Sequence, residues 1–188
     1  MKNFFDHKSI IAIILGFGLL LISFLYLNRP FKTSIAVFAT DLKGRTPEQR
    51  LNILKAATRI SGKIIQSGEV FSLNENAGPY EAEQGYVKER SFREKAVIET
   101  AGGGVCQLAS TLYNVVKIAN LQIIERVPHS QKVESVGPGM DATVAYGVSD
   151  LKFKNNYVFP IKIVSRQFQD QLFIEILGKE NPREFKSL

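Results

Sequence analysis

The chain contains one cysteine, Cys106, and it follows three glycines in AGGGVCQLASTLYN, Ala101 to Asn114. A thiol attacks as its thiolate, and the first turn of a helix favours that form through unpaired N–H groups and the macrodipole. Gly102 to Gly104 permit a tight strand-to-helix turn and let a substrate backbone approach the sulfur closely. N–H groups around Gly103 and Gly104, with the Gln107 side chain, are expected to stabilise an oxyanion.

The alternative for a lone cysteine is burial as a small hydrophobe. Helical geometry argues against it. At about 100° per residue, the stripe of Leu108, Leu112, Val115, Val116 and Ala119 centres roughly 135° from Cys106. Cys106 instead shares a face with Ser110, Tyr113 and Lys117, although burial of the helix on two sides would weaken that separation. A glycine loop before a helix also binds phosphate, but no Gly-Lys-Ser/Thr or spaced dinucleotide fingerprint accompanies this one. One cysteine and two histidines cannot build a typical zinc site, so no metal and no cofactor is expected.

A thiolate nucleophile wants a base. His7 lies at the extreme N-terminus, which leaves His129 in PHSQ as the partner of a Cys–His dyad. Asp141, in GPGMDATV, is the orienting acceptor by type, with Asp150 and Glu134 behind it. A capping or turn role for Asp141 stands beside that reading. Ser130 and Tyr146, close in sequence to His129 and Asp141, complete the residues expected to line an oxyanion or substrate site.

The elements that must position these groups read as follows. An apolar stretch at Ser34 to Thr40 suits a first strand. Thr46-Pro47-Glu48-Gln49 is a helix start with a capping box, and Ile53, Leu54, Ala57, Ile60 and Ile64 mark its apolar face up to Ser67-Gly68. Val70 to Leu73 is strand-like, Asn74 to Gly85 is loop, and Lys95 to Thr100 is a strand delivering the chain into the glycine run. The Cys106 helix ends near Asn120. Strands follow at Leu121 to Val127, Thr143 to Tyr146, Leu151 to Lys154, Pro160 to Ser165 and Gln171 to Leu177, with loop from Pro128 to Gly139. Hairpin-length gaps predict an antiparallel sheet, so the fold class is α+β with two main helices on that sheet.

The whole chain is 188 residues with a formal charge of +6 and a sequence pI of about 9.4. Such a balance suits anionic surfaces, wall polymers or nucleic acid. No Lys/Arg-rich tract or nucleic-acid module is present, so nucleic acid is not expected as a partner. Ser9 to Leu27 is uncharged and apolar almost throughout, about enough to span a hydrocarbon core of roughly 30 Å. No small-residue cleavage site follows it, so an uncleaved transmembrane anchor is expected over 9–27. Lys2, Lys8, Arg29 and Lys32 give no clear orientation by charge. A short tail before a first span argues for a cytoplasmic tail at 1–8, a single pass through the cytoplasmic membrane and a domain on the extracytoplasmic face. The remaining divisions are a linker and first strand at 28–45, one domain at 46–180 and a tail at 181–188.

GGGVCQLASTLYN, ERVPHS, GMDATVAYG and DLKFKNN, in this order, resemble the signature series of the VanW domain family. ISGKIIQSGEVFSLNENAGP and Gly85-Tyr86 resemble its N-terminal part, so the resemblance runs from about Asn52 to Leu177. It departs at Val127, where many members have His, and at Ser135 and Met140, often Tyr and Arg. The resemblance implies a link to vancomycin resistance and a peptidoglycan L,D-transpeptidase with Cys106 as nucleophile and His129 as base. Stem peptides are its implied substrate and cell-wall synthesis proteins its implied partners. The role of Asp141 is not settled by it. Two rivals remain: a thiol hydrolase trimming the same stems, and a non-catalytic module that binds wall or glycopeptide.

Overall fold

The computed structural model describes residues 7–27, 31–93 and 96–179. Most of the expected N-terminal tail, part of the linker, Lys95 and the C-terminal tail lie outside the described residues. The chain divides into two units, Met1–Pro30 and Phe31–Leu188.

The first unit holds helix α1, His7–Leu27. Among the described residues no helix is long and apolar enough to cross a membrane. The transmembrane anchor expected over 9–27, and the single-pass membrane location drawn from it, are therefore corrected.

The second unit is α+β and its strand pairs are antiparallel, as expected. Strand β1 (Thr33–Asp41) leads into helix α2 (Pro47–Ile60), and β2 (Ile64–Ile65) and β3 (Val70–Ser72) follow. After helix α3 (Leu73–Ala77) comes a hairpin of β4 (Lys88–Arg93) and β5 (Ala96–Ala101), then helix α4 (Val105–Ile118). The remaining strands are β6 (Gln122–Glu125), β7 (Lys152–Lys154), β8 (Ile161–Phe168) and β9 (Gln171–Gly178). They form three sheets, ordered β1-β9-β8-β2, β3-β7-β6 and β4-β5.

Helix α2 starts where its capping box demands. Thr46 Oγ1 accepts from the Gln49 N–H at 3.1 Å, and Gln49 Oε1 accepts from the Thr46 N–H. The helix stops earlier than its apolar pattern suggested, because Gly62 takes φ +87° and turns the chain, so Ile64 pairs with Lys162 of β8 instead. Two further differences are local. The loop read from Asn74 to Gly85 instead begins within α3, which starts at Leu73 and is capped by Ser72 Oγ accepting from the Glu75 N–H. Thr143 to Tyr146 is no strand; it makes only the isolated bridges Val127–Thr143 and Ala145–Ser149.

Alternation on β9 buries Leu172, Ile174 and Ile176, and β8 adds Ile161 and Ile163. Helices α2 and α4 pack side by side against this sheet, covering it with Ile53, Ala56, Leu108, Leu112 and Val115. Each fully buried Leu or Ile contributes roughly 1.5–3 kcal/mol of transfer free energy. In β1 a register shift between Ser34 and Ala36 lets both Ile35 and Ala36 turn inward. The result is a rigid bed under α4, and the N-terminus of that helix carries the cysteine.

Candidate active site

The glycine run is a turn that only glycine makes cheaply. Gly102 has φ +80° and Gly104, the N-cap of α4, has φ +94°. A Cβ on Gly102 would lie 2.6 Å from Tyr80 Cβ, and one on Gly104 would press on Gln49 and Ile53. Asn52 of α2 secures the turn from below, donating to the carbonyls of Val87 and Gly103. The chain leaves β5, reverses and enters α4 at Val105, so Cys106 is the second residue of the helix. Its backbone N–H has no partner among the described residues, as expected for a first-turn donor. The thiol is partly exposed and donates to the Val144 carbonyl at 3.6 Å.

Helix α4 is buried on both sides, and the second side is polar. Ser110 Oγ accepts from the Ala142 N–H at 3.0 Å, and Asn114 Nδ2 donates to the Met140 carbonyl at 2.7 Å. These bonds hold the segment around Asp141 against the helix face that carries Cys106. Face geometry separated Cys106 from the apolar stripe, but it gave no sign that a backbone segment covers Ser110.

That docked segment delivers a carboxylate to His129. Asp141 Oδ2 accepts from the His129 backbone N–H at 2.6 Å and pairs with ring Nδ1 at 2.9 Å. Oδ1 accepts from Arg126 Nη2 at 2.9 Å, and Arg126 Nε donates to the Asp141 carbonyl. Arg126 lies over the Tyr113 ring of α4, 5.1 Å from its centroid. A carboxylate only accepts, so Nδ1 carries the proton and Nε2 is left for the thiol.

Electrostatics follow from these contacts. The neighbouring Cys106 thiol is the main influence holding the His129 imidazole above its ordinary range; partial burial opposes this and Asp141 reinforces it. Burial pushes the Asp141 carboxyl up, but the His129 N–H, its ring and Arg126 outweigh burial and hold it below the ordinary range. The two other acidic candidates stand elsewhere. Asp150 is engaged by Ser72, the Asn74 N–H and the Leu151 N–H. Glu134 lines the cleft without bonding His129.

Cys106 and His129 open onto a cleft of about 390 Å³, whose wall includes Gly104, Ser110, Arg45 and Lys132. The other residues expected at the site distribute differently. Gln107 reaches the cleft, but its carboxamide is engaged: Nε2 donates to Thr40 Oγ1 and the Asp41 carbonyl, and Oε1 accepts from Arg45 Nε. Gly103 packs against the Glu89 carboxylate. Ser130 is exposed and outside the cleft lining. Tyr146 lines a neighbouring cavity of about 360 Å³ with Asp150 and Glu125. Sequence reasoning missed Arg45, Arg126 and Tyr80. Tyr80 donates to Asn74 Oδ1, and burial pushes its hydroxyl far above the ordinary range, with Tyr86, Asp150 and Cys106 adding to the effect. No spacing in the sequence marks Arg45 or Tyr80, which meet the Cys106 turn and helix across long chain separations, and Arg126, three residues before His129, gives no sign in the sequence of its acceptor at Asp141.

The chain matches the family model described as VanW like protein over residues 48–177. It belongs to the VanW-like family. Among its VanW-like relatives, the uncharacterized protein YoaR of Bacillus subtilis (strain 168) is 35% identical over 143 residues, covering 76% of this chain and 47% of YoaR. The vancomycin B-type resistance protein VanW of Enterococcus faecalis (strain ATCC 700802 / V583) is 31% identical over 111 residues, covering 56% of this chain and 40% of that protein. The chain spans less than half the length of both curated relatives. No solved structure matches it.

Proposed function

We infer that this VanW-like domain is a cysteine acyltransferase acting on peptidoglycan stem peptides, an L,D-transpeptidase. The observation that carries the reading is the placement of His129, with Asp141 on one ring nitrogen, in the same open cleft as the Cys106 thiol. Asp141 orients the ring and stabilises the imidazolium. His129 takes the thiol proton, and the sulfur attacks the carbonyl of the third stem residue. The unpaired Cys106 N–H stabilises the resulting oxyanion. Collapse breaks the amide bond; His129 returns its proton to the departing nitrogen, and the terminal residue leaves with its own carboxylate. A thioester remains on Cys106. The side-chain amine of a second stem then attacks it, His129 removes the amine proton, and the thiol is regenerated. Splitting one exchange into two steps through a covalent intermediate lowers each barrier. The vancomycin-resistance name of the Enterococcus relative supports a cell-wall substrate.

The test is intact-mass spectrometry of the full chain incubated with a tetrapeptide muropeptide, followed by product analysis. The expected results are a mass increase matching the acyl tripeptide, absent in Cys106→Ala, and cross-linked dimers. Shortened monomers alone would convert the assignment to a hydrolase. Unaltered muropeptide with no adduct would leave a binding module.

A further inference from the structure

Arg45 takes no part in the chemistry above, yet it is held as though for a ligand. It precedes the Thr46 cap of α2 and lines the cleft that Cys106 and His129 share. Its Nε donates to Gln107 Oε1 at 2.6 Å. Gln107 is buried and fixed in turn by Thr40 Oγ1 at 3.1 Å and the Asp41 carbonyl at 2.7 Å, while Thr40 bonds Thr111 of α4 at 2.8 Å. A buried polar relay between β1 and α4 therefore ties down the inner edge of this guanidinium.

The outer edge is different. Nη1 and Nη2 of Arg45 have no partner among the described residues, whereas Arg50, Arg59, Arg126 and Arg166 all bond an acceptor through theirs. A guanidinium with Nε tied back presents its paired Nη groups in the spacing of a carboxylate's two oxygens. Lys132 adds a second positive charge to the same wall.

We propose that Arg45 binds the carboxylate of the residue expelled from the acyl donor, so that the domain selects donors with a free C-terminal carboxylate. This rests on the acyl-transfer reading of the Cys106 cleft. The carboxylate sits on the leaving residue, next to the nitrogen that His129 protonates. Arg45 holds that residue while its amide bond breaks and releases it afterwards with the carboxylate intact. Glu134, in the same cleft, disfavours any donor that brings a further carboxylate close to it.

Two tetrapeptide donors that differ only at the terminus, carboxylate against carboxamide, test this with the full chain. Acyl-adduct formation on wild type should favour the carboxylate by roughly 10- to 100-fold, the range of a charge-assisted bidentate contact. Arg45→Gln should bring the ratio to about one, and Arg45→Lys should retain part of it. A wild-type ratio near one, or a ratio unchanged in Arg45→Gln, overturns the proposal. Calorimetric binding of both peptides to Cys106→Ala, with and without Arg45→Gln, separates the two claims. If neither donor acylates the wild type, the acyl-transfer reading fails. A binding preference for the carboxylate that Arg45→Gln abolishes would still establish the site, and equal binding would remove it.

Discussion

At Asp141 the ring and the backbone of one histidine converge on one carboxylate, and this makes the residue's charge measurable from two directions. Cys106 is the main influence raising the His129 pKa, and Asp141 is the next that raises it. The proton NMR titration of His129 should therefore lie above the ordinary value of about 6.5. Cys106→Ala should lower its midpoint, and Asp141→Asn should lower it too. Only one other histidine is present, so the signals are separable. An unmoved midpoint in both variants would dissolve the relay. The stability consequences have opposite senses. His129, raised in the folded state, contributes stability fully below its unfolded pKa and loses it as pH climbs through the folded value. Asp141, depressed, contributes above its unfolded value of about 3.9 and loses it as pH falls through the folded one. The stability gap between wild type and Asp141→Asn should therefore shrink in denaturation curves taken below about pH 4.

The turn and the helix give sharper contrasts at the scale of elements. Gly104→Ala places a Cβ at φ +94° against Gln49 and Ile53, and should cost about 1–2 kcal/mol from the left-handed conformation alone. It should also slow alkylation of Cys106. Gly103→Ala sits at no positive φ and meets the Glu89 side chain, its carboxylate and Cβ, so it carries no left-handed penalty and should cost less; urea denaturation orders the two. Ser110→Ala removes the acceptor for the buried Ala142 N–H and should cost about 1–3 kcal/mol. If His129 kept its wild-type midpoint in that variant, α4 would not be what positions Asp141. This level also separates what the sequence made legible from what it did not. Thr46, Pro47 and Gln49 announced α2 because capping is a local matter of hydrogen bonds between near neighbours. The glycine run announced the turn, and the apolar stripe of α4 was readable from its period. Strand β4 was not read at all, since KERSFR alternates no apolar face and exists through pairing with β5. Asp141 stayed one carboxylate among three, because its place depends on Ser110 and Asn114 gripping a segment more than twenty residues away.

For the whole domain, the order β1-β9-β8-β2 places the last described strand second in the sheet, between β1 and β8. Leu172, Ile174 and Ile176 fill the core beneath α4. A chain ending at Phe168 should therefore show no cooperative urea transition, although every residue of the Cys106 site is retained. Cooperative unfolding of that truncation would mean that α2 and α4 hold the fold without β9. Closure of such distant strands also predicts folding slower than that of a helical bundle.

The same pairing has a mechanical meaning. Thr33 sits opposite Gly178, and the register runs from there to Asp41 opposite Gln171. A tensile load applied between residues 33 and 178 enters at one end of the β1–β9 ladder and acts across it. It opens the hydrogen bonds in succession, like a zip, where a load along the strands would have to break them together. Held by these two points in an optical trap, the domain should yield at low force, with β1 peeling away before the Cys106 helix is disturbed.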